Sequence, residues 1–244
     1  MIISIQQPEY FPWLGFYDKI MKVDKVVFLD NVQFKKRYFE NRNKVRTAQG
    51  WTWITTPVMN RGFYTQKIMD VMIDNSSPWQ KKITSTLRRS YGRTPFWREG
   101  GEELCELISG QHARLVDLNL AVILFFMDKL GIKREYALAS SLETMSSGSD
   151  LILEICRKVR AEAYLSGRDG RNYLKVEDFT GYGIEVLYQD FKHPEYRQLH
   201  GEFMSHMSIT DLYFNHGPGS VEIIRSKGTV TGIRSCAALS GAKV

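Results

Sequence analysis

Short continuous apolar runs, suited to buried strands, alternate along this chain with stretches whose apolar residues recur every three or four positions, as on one face of a helix. Residues 2–5 read as a buried strand, 13–23 as an amphipathic helix and 25–29 as a second strand ending at Asp30. A strand, helix and strand of this length predict a right-handed parallel crossover. From 44 through 58 and on to 73, β-branched and aromatic residues with turns at Gln49-Gly50 and Arg61-Gly62 predict antiparallel strands, so the sheet is expected to be mixed.

A helical stretch follows. Ser77 suits an N-cap with Pro78 at the first helical position, and the helical pattern runs to Tyr91. Residues 102–108 and 115–130 read as two more helices, the last closed by Gly131, so a helical layer or lid is expected over about 77–131. The α/β pattern then resumes, with strands at 134–138, 163–166 and 184–188 and a helix at 150–160. The segment after Gly217 reads as a helix that frays into a tail of small residues from Ser235. The expected fold is α/β, a Rossmann-like mixed sheet with flanking helices and a helical middle layer, in a single domain over 1–244. No repeat or low-complexity tract interrupts it.

Composition narrows the class. With 43% hydrophobic residues in 244, the chain can bury one sizeable core. The opening lacks the basic and apolar regions of a signal peptide, and the longest apolar stretch, 118–127, is too short to span a bilayer and is broken by Asn119. A cytoplasmic protein with no membrane partner is expected. Cys105, Cys156 and Cys236 are scattered and unpaired in spacing, which argues against a disulfide framework, a zinc site or any bound metal. The net charge of +6, concentrated at 35–46, 81–93 and 157–171, favours anionic partners: a nucleotide, a nucleotide sugar, an acidic carrier protein or RNA. No nucleic-acid motif accompanies this balance and the aromatics mostly fall at apolar periodic positions, which points away from nucleic acid.

Candidate chemistry collects at the expected strand ends, where ligands sit in open α/β sheets. The polar, proline-bounded turn after the first strand carries Gln7 and Tyr10. Asp30 ends the second strand and is followed by Gln33 and Lys36, a carboxylate, an amide and an ammonium within one loop. Asn41, Arg42 and Asn43 suit a polyhydroxylated or phosphorylated ligand. Ser166 and Gly167 precede Arg168, Asp169, Gly170 and Tyr173, where glycines permit close backbone approach to a phosphate or oxyanion, without the Gly-Lys-Ser/Thr of a Walker loop. His193, held before Pro194, could serve as a base, with Tyr196, Asp211 and Asn215 downstream. Each has a plainer alternative: Asp30 as a turn cap, His193 as a structural histidine, the glycines as an ordinary turn.

Gln7-Pro8-x-x-Phe11-Pro12-x-x-Gly15, Asp30 with Gln33-Phe34, Asn41-Arg42-Asn43, Tyr164-Leu165-Ser166-Gly167, His193-Pro194-x-Tyr196 and Ser208-x-x-Asp211-Leu212-x-Phe214-Asn215-x-Gly217 occur in the order in which the WbqC-like family carries them, and the chain resembles that family from about residue 2 to 217. The resemblance implies a place in gene clusters that build O-antigens and related surface glycans, one member having been proposed as a glycine transferase acting on an amino sugar. A fainter likeness is to pantothenate-synthetase-type nucleotidylyltransferases, from which the chain departs by lacking their histidine pair after strand one.

The expected activity is acyl or aminoacyl transfer onto a nucleotide-linked amino sugar, with His193 or Asp30 as base, and Ser166–Gly167 backbone or Gln7 facing the oxyanion. Substrate-binding candidates are Gln7, Tyr10, Gln33, Lys36, Asn41, Arg42, Asn43, Ser166, Gly167, Tyr173, Tyr196, Asp211 and Asn215. No tightly bound cofactor is expected; the activated acyl donor would be an acyl-CoA, an acyl-carrier protein or an aminoacyl-tRNA. A non-catalytic nucleotide-sugar binding protein and a variant nucleotidylyltransferase are the alternatives.

Overall fold

A computed structural model describes residues 1–59, 62 and 65–232. Its centre is a six-stranded sheet formed by β1 (Ile2–Gln6), β2 (Lys25–Phe28), β5 (Glu135–Leu138), β6 (Ala163–Ser166), β7 (Glu185–Phe191) and β8 (Gly228–Thr231), in the spatial order β5-β2-β1-β6-β7-β8. The first five run parallel and β8 closes one edge antiparallel to β7. The sheet is therefore mixed, as expected, but for a different reason. The strands β3 (Arg42–Thr47) and β4 (Gly50–Thr55) pair only with each other, as a separate antiparallel hairpin.

Side-chain parity places both faces of the parallel sheet in the interior, which is why its strands read as apolar runs. Ile3, Ile5, Val27, Tyr164 and Val186 face α5 (Gly148–Lys158) and α6 (Val176–Gly181). Val26, Phe28, Leu165 and Leu187 point the other way, into a larger core shared with α1 (Leu14–Met21), the hairpin and the helical layer. That layer comprises α2 (Trp79–Tyr91), α3 (Gly101–Ser109) and α4 (Leu115–Lys129). Pro78 is the N-cap of α2, one place later than the sequence pattern suggests, so Trp79 and not Pro78 opens the helix. Gly131, at φ +65°, ends α4 as expected: its N–H donates to Asp128 and that of Ile132 to Met127, the paired bonds of a Schellman motif.

The carboxyl-terminal part departs most from expectation. The segment with Ser208 and Asp211 forms a helix, α7 (Ile209–His216), and the stretch after Gly217 contains α8 (Ser220–Arg225) and then β8. The tail from Ser235, with Cys236, lies outside the described residues. Cys105 and Cys156 are buried free thiols, pushed up by burial to about 11 and about 12, so neither is a ready nucleophile.

Candidate functional site

The strand order fixes where a ligand can enter. From β1 the chain moves through β2 to β5 on one side, whereas β6 and β7 lie on the other, so the loops after β1 and β6 diverge at the carboxyl edge of the sheet. Such a switch point is the usual binding crevice of a parallel α/β fold. A cavity of about 650 Å³ opens there, walled by the turn after β1, the length of α1, the loop after β6 and the end of β7.

Its floor is polar. On β1, Gln6 lines the cavity from the α1 side of the sheet, in register with Phe28 of β2, and its amide nitrogen has no hydrogen-bond partner. On β7, Gln189 donates to the Gly15 carbonyl at 2.9 Å and to Asp18 at 2.5 Å, and Asp18 also binds Lys22 at 2.5 Å. Glu9 and Lys19 face the same space. Burial pushes the Glu9 carboxyl up to about 7, against the pull of the Lys19 charge and reinforced by Glu40; burial pulls Lys19 down to about 8, against the pull of Glu9. One Glu9 oxygen, Oε2, is buried without a hydrogen-bond partner, as are both oxygens of Glu40.

The turn that presents Glu9 is held rigidly. Phe11 adopts φ +47°, a left-handed conformation that costs a bulky residue on the order of 1–3 kcal/mol. Two buried amides offset this cost. Asn43 donates to the carbonyls of Phe11 at 2.8 Å and Tyr10 at 3.3 Å, and Asn119 of α4 donates to those of Pro8 and Glu40, both at 2.8 Å. The polar break in the apolar run of α4 thus ties the helical layer to the site, and the Phe11 ring packs edge-on against Phe126 of that helix. On the opposite wall, the hydroxyls of Tyr164, Ser166 and Tyr173 interact with one another, and Gly170 sits so near Ser166 that an added Cβ would lie 2.0 Å from its Oγ. Lys35, Tyr38, Phe39, Arg168 and Asp169 form the rim, and Arg168 is paired with Asp190.

Among the expected site residues, Gln7, Asn43, Ser166, Gly167, Tyr173 and His193 line this cavity. His193 is committed at both ring nitrogens: Nδ1–H donates to the Pro194 carbonyl at 2.9 Å, and Nε2 accepts the His206 backbone N–H at 3.1 Å. Burial pulls it down to about 4, so it is a neutral clasp in the cavity wall. Asp30 stands apart from the lining. Its oxygens accept the Ser140 N–H at 2.8 Å and hydroxyl at 2.6 Å, joining the ends of β2 and β5. Asp30→Ala is therefore expected to cost about 2 kcal/mol and roughly 4–8 °C in Tm. The cavity lining should be unchanged, so thermal melting should show the loss while any ligand that binds the cavity keeps its affinity in a parallel titration.

Tyr10 and Asn41 are buried, the latter donating to the Thr56 carbonyl at 3.0 Å; Arg42 lies over the Trp53 ring; Gln33 and Lys36 sit on an exposed loop. Tyr196, Asp211 and Asn215 belong to a buried cluster behind the site: Tyr196 donates to Asp211 at 2.9 Å, and Asn215 to the Asp211 backbone carbonyl at 2.7 Å. None of these eight lines the cavity. Glu9 and Lys19, absent from the expected set, do. Glu9 was open to view as the first acid past strand one, whereas nothing in the periodicity of α1 marks Lys19.

Fold and cavity together define an α/β protein with a mostly parallel sheet and a cavity at its topological switch point. The WbqC-like protein family model matches residues 7–223, and the chain belongs to that family. It is 32% identical over 225 residues, 91% of this chain and 97% of the other, to the uncharacterized protein Rv1507c of Mycobacterium tuberculosis (strain ATCC 25618 / H37Rv). No solved structure gives a significant match. Among the described residues, no helix is long and apolar enough to cross a membrane, and no group of three or more His, Cys, Asp or Glu side chains could hold a metal ion.

Proposed function

We propose that the protein is an acyl or aminoacyl transferase, glycyl transfer included, acting on a nucleotide-linked amino sugar in O-antigen or surface-polysaccharide assembly. The observation that carries this reading is Glu9: a carboxyl at the cavity floor with an unpartnered oxygen, poised near neutrality and set against Lys19. An amino sugar arrives as an ammonium ion. Ionised Glu9 binds it and takes a proton, a role for which a pKa near the working pH is best suited. The freed amine attacks the acyl carbonyl, and Lys19 with the backbone at Ser166 and Gly167 faces the developing oxyanion. No covalent enzyme intermediate is needed, in keeping with two unreactive buried cysteines. At the rim, Lys35 and Arg168 suit a diphosphate, and Tyr38, Phe39 and Tyr173 suit a base and a sugar ring.

The test is incubation of the protein with dTDP- or UDP-linked amino sugars and acyl-CoA, acyl-carrier-protein and aminoacyl-tRNA donors, read by mass spectrometry. The expected result is the mass of one added acyl group on the amino sugar. Tight binding with no product across all donors would favour a binding protein, and pyrophosphate release from a nucleoside triphosphate would favour nucleotidyl transfer.

A further inference from the structure

The β3–β4 hairpin stands outside the main sheet; one of its faces is buried, and the other is open except at Arg46, which the backbone carbonyls of His200 and Glu202 cover. Asn43, Val45 and Ile54 point inward. Across the register, Lys44 opposes Trp53 and Arg46 opposes Trp51 on the other face. Four aromatic rings run in sequence from the cavity wall onto this face: Tyr38 to Phe39 at 5.1 Å, Phe39 to Trp53 at 6.4 Å and Trp53 to Trp51 at 5.6 Å between centroids. Tyr38 is 48% exposed and Trp51 44%, so the row begins at the cavity mouth and ends in solvent.

Cations accompany the rings along its length. Lys35 lies 5.3 Å from the Tyr38 ring, Arg42 4.3 Å from Trp53 and Lys44 4.4 Å from Trp51. Residues 35–46 hold six Lys or Arg and one acid, Glu40, which is buried. Flat rings alternating with positive charge complement a ligand that itself alternates flat groups with negative charge. A neutral glycan lacks the charge, and a protein does not alternate a flat group with a negative charge at every repeat of its backbone, as a single-stranded nucleic acid does.

We propose that this face binds the single-stranded 3′ end of an RNA, its bases against Phe39, Trp53 and Trp51 and its phosphates against Lys35, Arg42 and Lys44, with the terminal nucleotide at the cavity mouth. Stacking on aromatic rings and arginine planes with charge along the backbone is the general mode of single-strand recognition, and about four nucleotides span such a row. Resting on the transferase reading, the inference also selects the donor as an acyl ester on the RNA 3′ end. The amine nitrogen then forms a bond to the acyl carbon and the ester C–O bond breaks. Of the two protons the ammonium loses, one ends on the leaving 3′ oxygen and the other passes through Glu9 to solvent.

Fluorescence anisotropy with a labelled, unstructured oligoribonucleotide of about twelve residues tests the surface directly. Saturable binding is expected, weakened about tenfold or more in Trp53→Ala and restored in Trp53→Phe, which keeps a ring. In Arg42→Gln the slope of log affinity against log salt should fall by about 0.7, one phosphate contact. Absence of saturable binding would overturn the proposal. So would Trp53→Ala binding as wild type with its melting curve intact, or competition by a duplex of the same strand or a sulfated oligosaccharide as effective as that by the single strand. The two readings fail separately. Amino-sugar acylation from acyl-CoA without RNA binding removes the surface inference and leaves the transferase, whereas RNA binding with no acylation from any donor does the reverse.

Discussion

Glu9→Gln is expected to reduce acyl transfer about a hundred- to ten-thousand-fold, the usual loss on removing a general base, while the protein becomes more stable at pH 8. Glu9 lines the cavity floor, and its buried Oε2 has no hydrogen-bond partner in the protein. A carboxyl raised from 4.5 to about 7 on folding binds more protons in the folded than in the unfolded chain between those values, so stability falls as pH rises through that window. Above pH 7 the ionised carboxylate carries the full penalty, on the order of 3 kcal/mol. Gln carries no charge and removes that penalty, which is already net of the attraction to Lys19, so the expected gain is about 2–3 kcal/mol, or roughly 4–12 °C in Tm. Melting curves at pH 5 and pH 8 should show the gain at pH 8 and little at pH 5. A fall in Tm at pH 8 would show that Glu9 holds the fold together.

The same pair sets the pH profile. In the wild type, kcat/KM should rise tenfold per unit on the acid side of about 7, where Glu9 takes protons, and fall again above about 8, where Lys19 loses its charge. Because the two groups interact, the inflections belong to the pair. In Glu9→Gln the acid limb should disappear and the alkaline limb move to lower pH, since Lys19 then loses the neighbour that stabilises its charged form.

The parallel core was legible because strands buried on both faces must be apolar at every position, and β1, β2 and β6 are nearly so. Gly131 was legible because a left-handed helix end selects glycine. The gaps have physical causes too. The hairpin signals of 44–55 show that two strands pair, but not whether they join the main sheet. Helix α7 was hidden by its own polar residues, whose partners lie inside the protein. A carboxylate at a strand's end reads the same whether it meets substrate or a serine 110 residues away, as Asp30 does. Glu9 and Lys19 become a pair only once α1 folds back over β1, and a ten-residue spacing carries no signature of that contact. The aromatics at 51 and 53 look like alternate core positions until the hairpin turns that face outward.

Asp211→Ala is expected to cost about 3 kcal/mol and roughly 6–12 °C in Tm, without loss of nucleotide-sugar affinity in the molecules that remain folded. Asp211 is fully buried in α7, and its Oδ2 accepts both the Tyr196 hydroxyl at 2.9 Å and the Gln198 amide at 2.8 Å. Burial pushes its carboxyl up, while those donors and the nearby Arg46 charge pull the other way. Arg46 in turn donates to the carbonyls of Thr47 at 2.6 Å, Gly50 at 2.5 Å, His200 at 2.6 Å and Glu202 at 3.2 Å, and its own N–H is accepted by the Tyr91 hydroxyl at 2.9 Å. The cluster therefore fastens three elements: the hairpin, α2 and the loop that carries His193 and His206 into the cavity wall. Alanine would leave two buried donors without an acceptor, and no water path replaces it at a site with no exposed surface. Asp211→Asn keeps one acceptor oxygen and should lose less. Thermal melting with a parallel ligand titration separates the roles, because a substrate-binding aspartate would lose affinity at unchanged Tm, whereas one that fastens the loop loses Tm first.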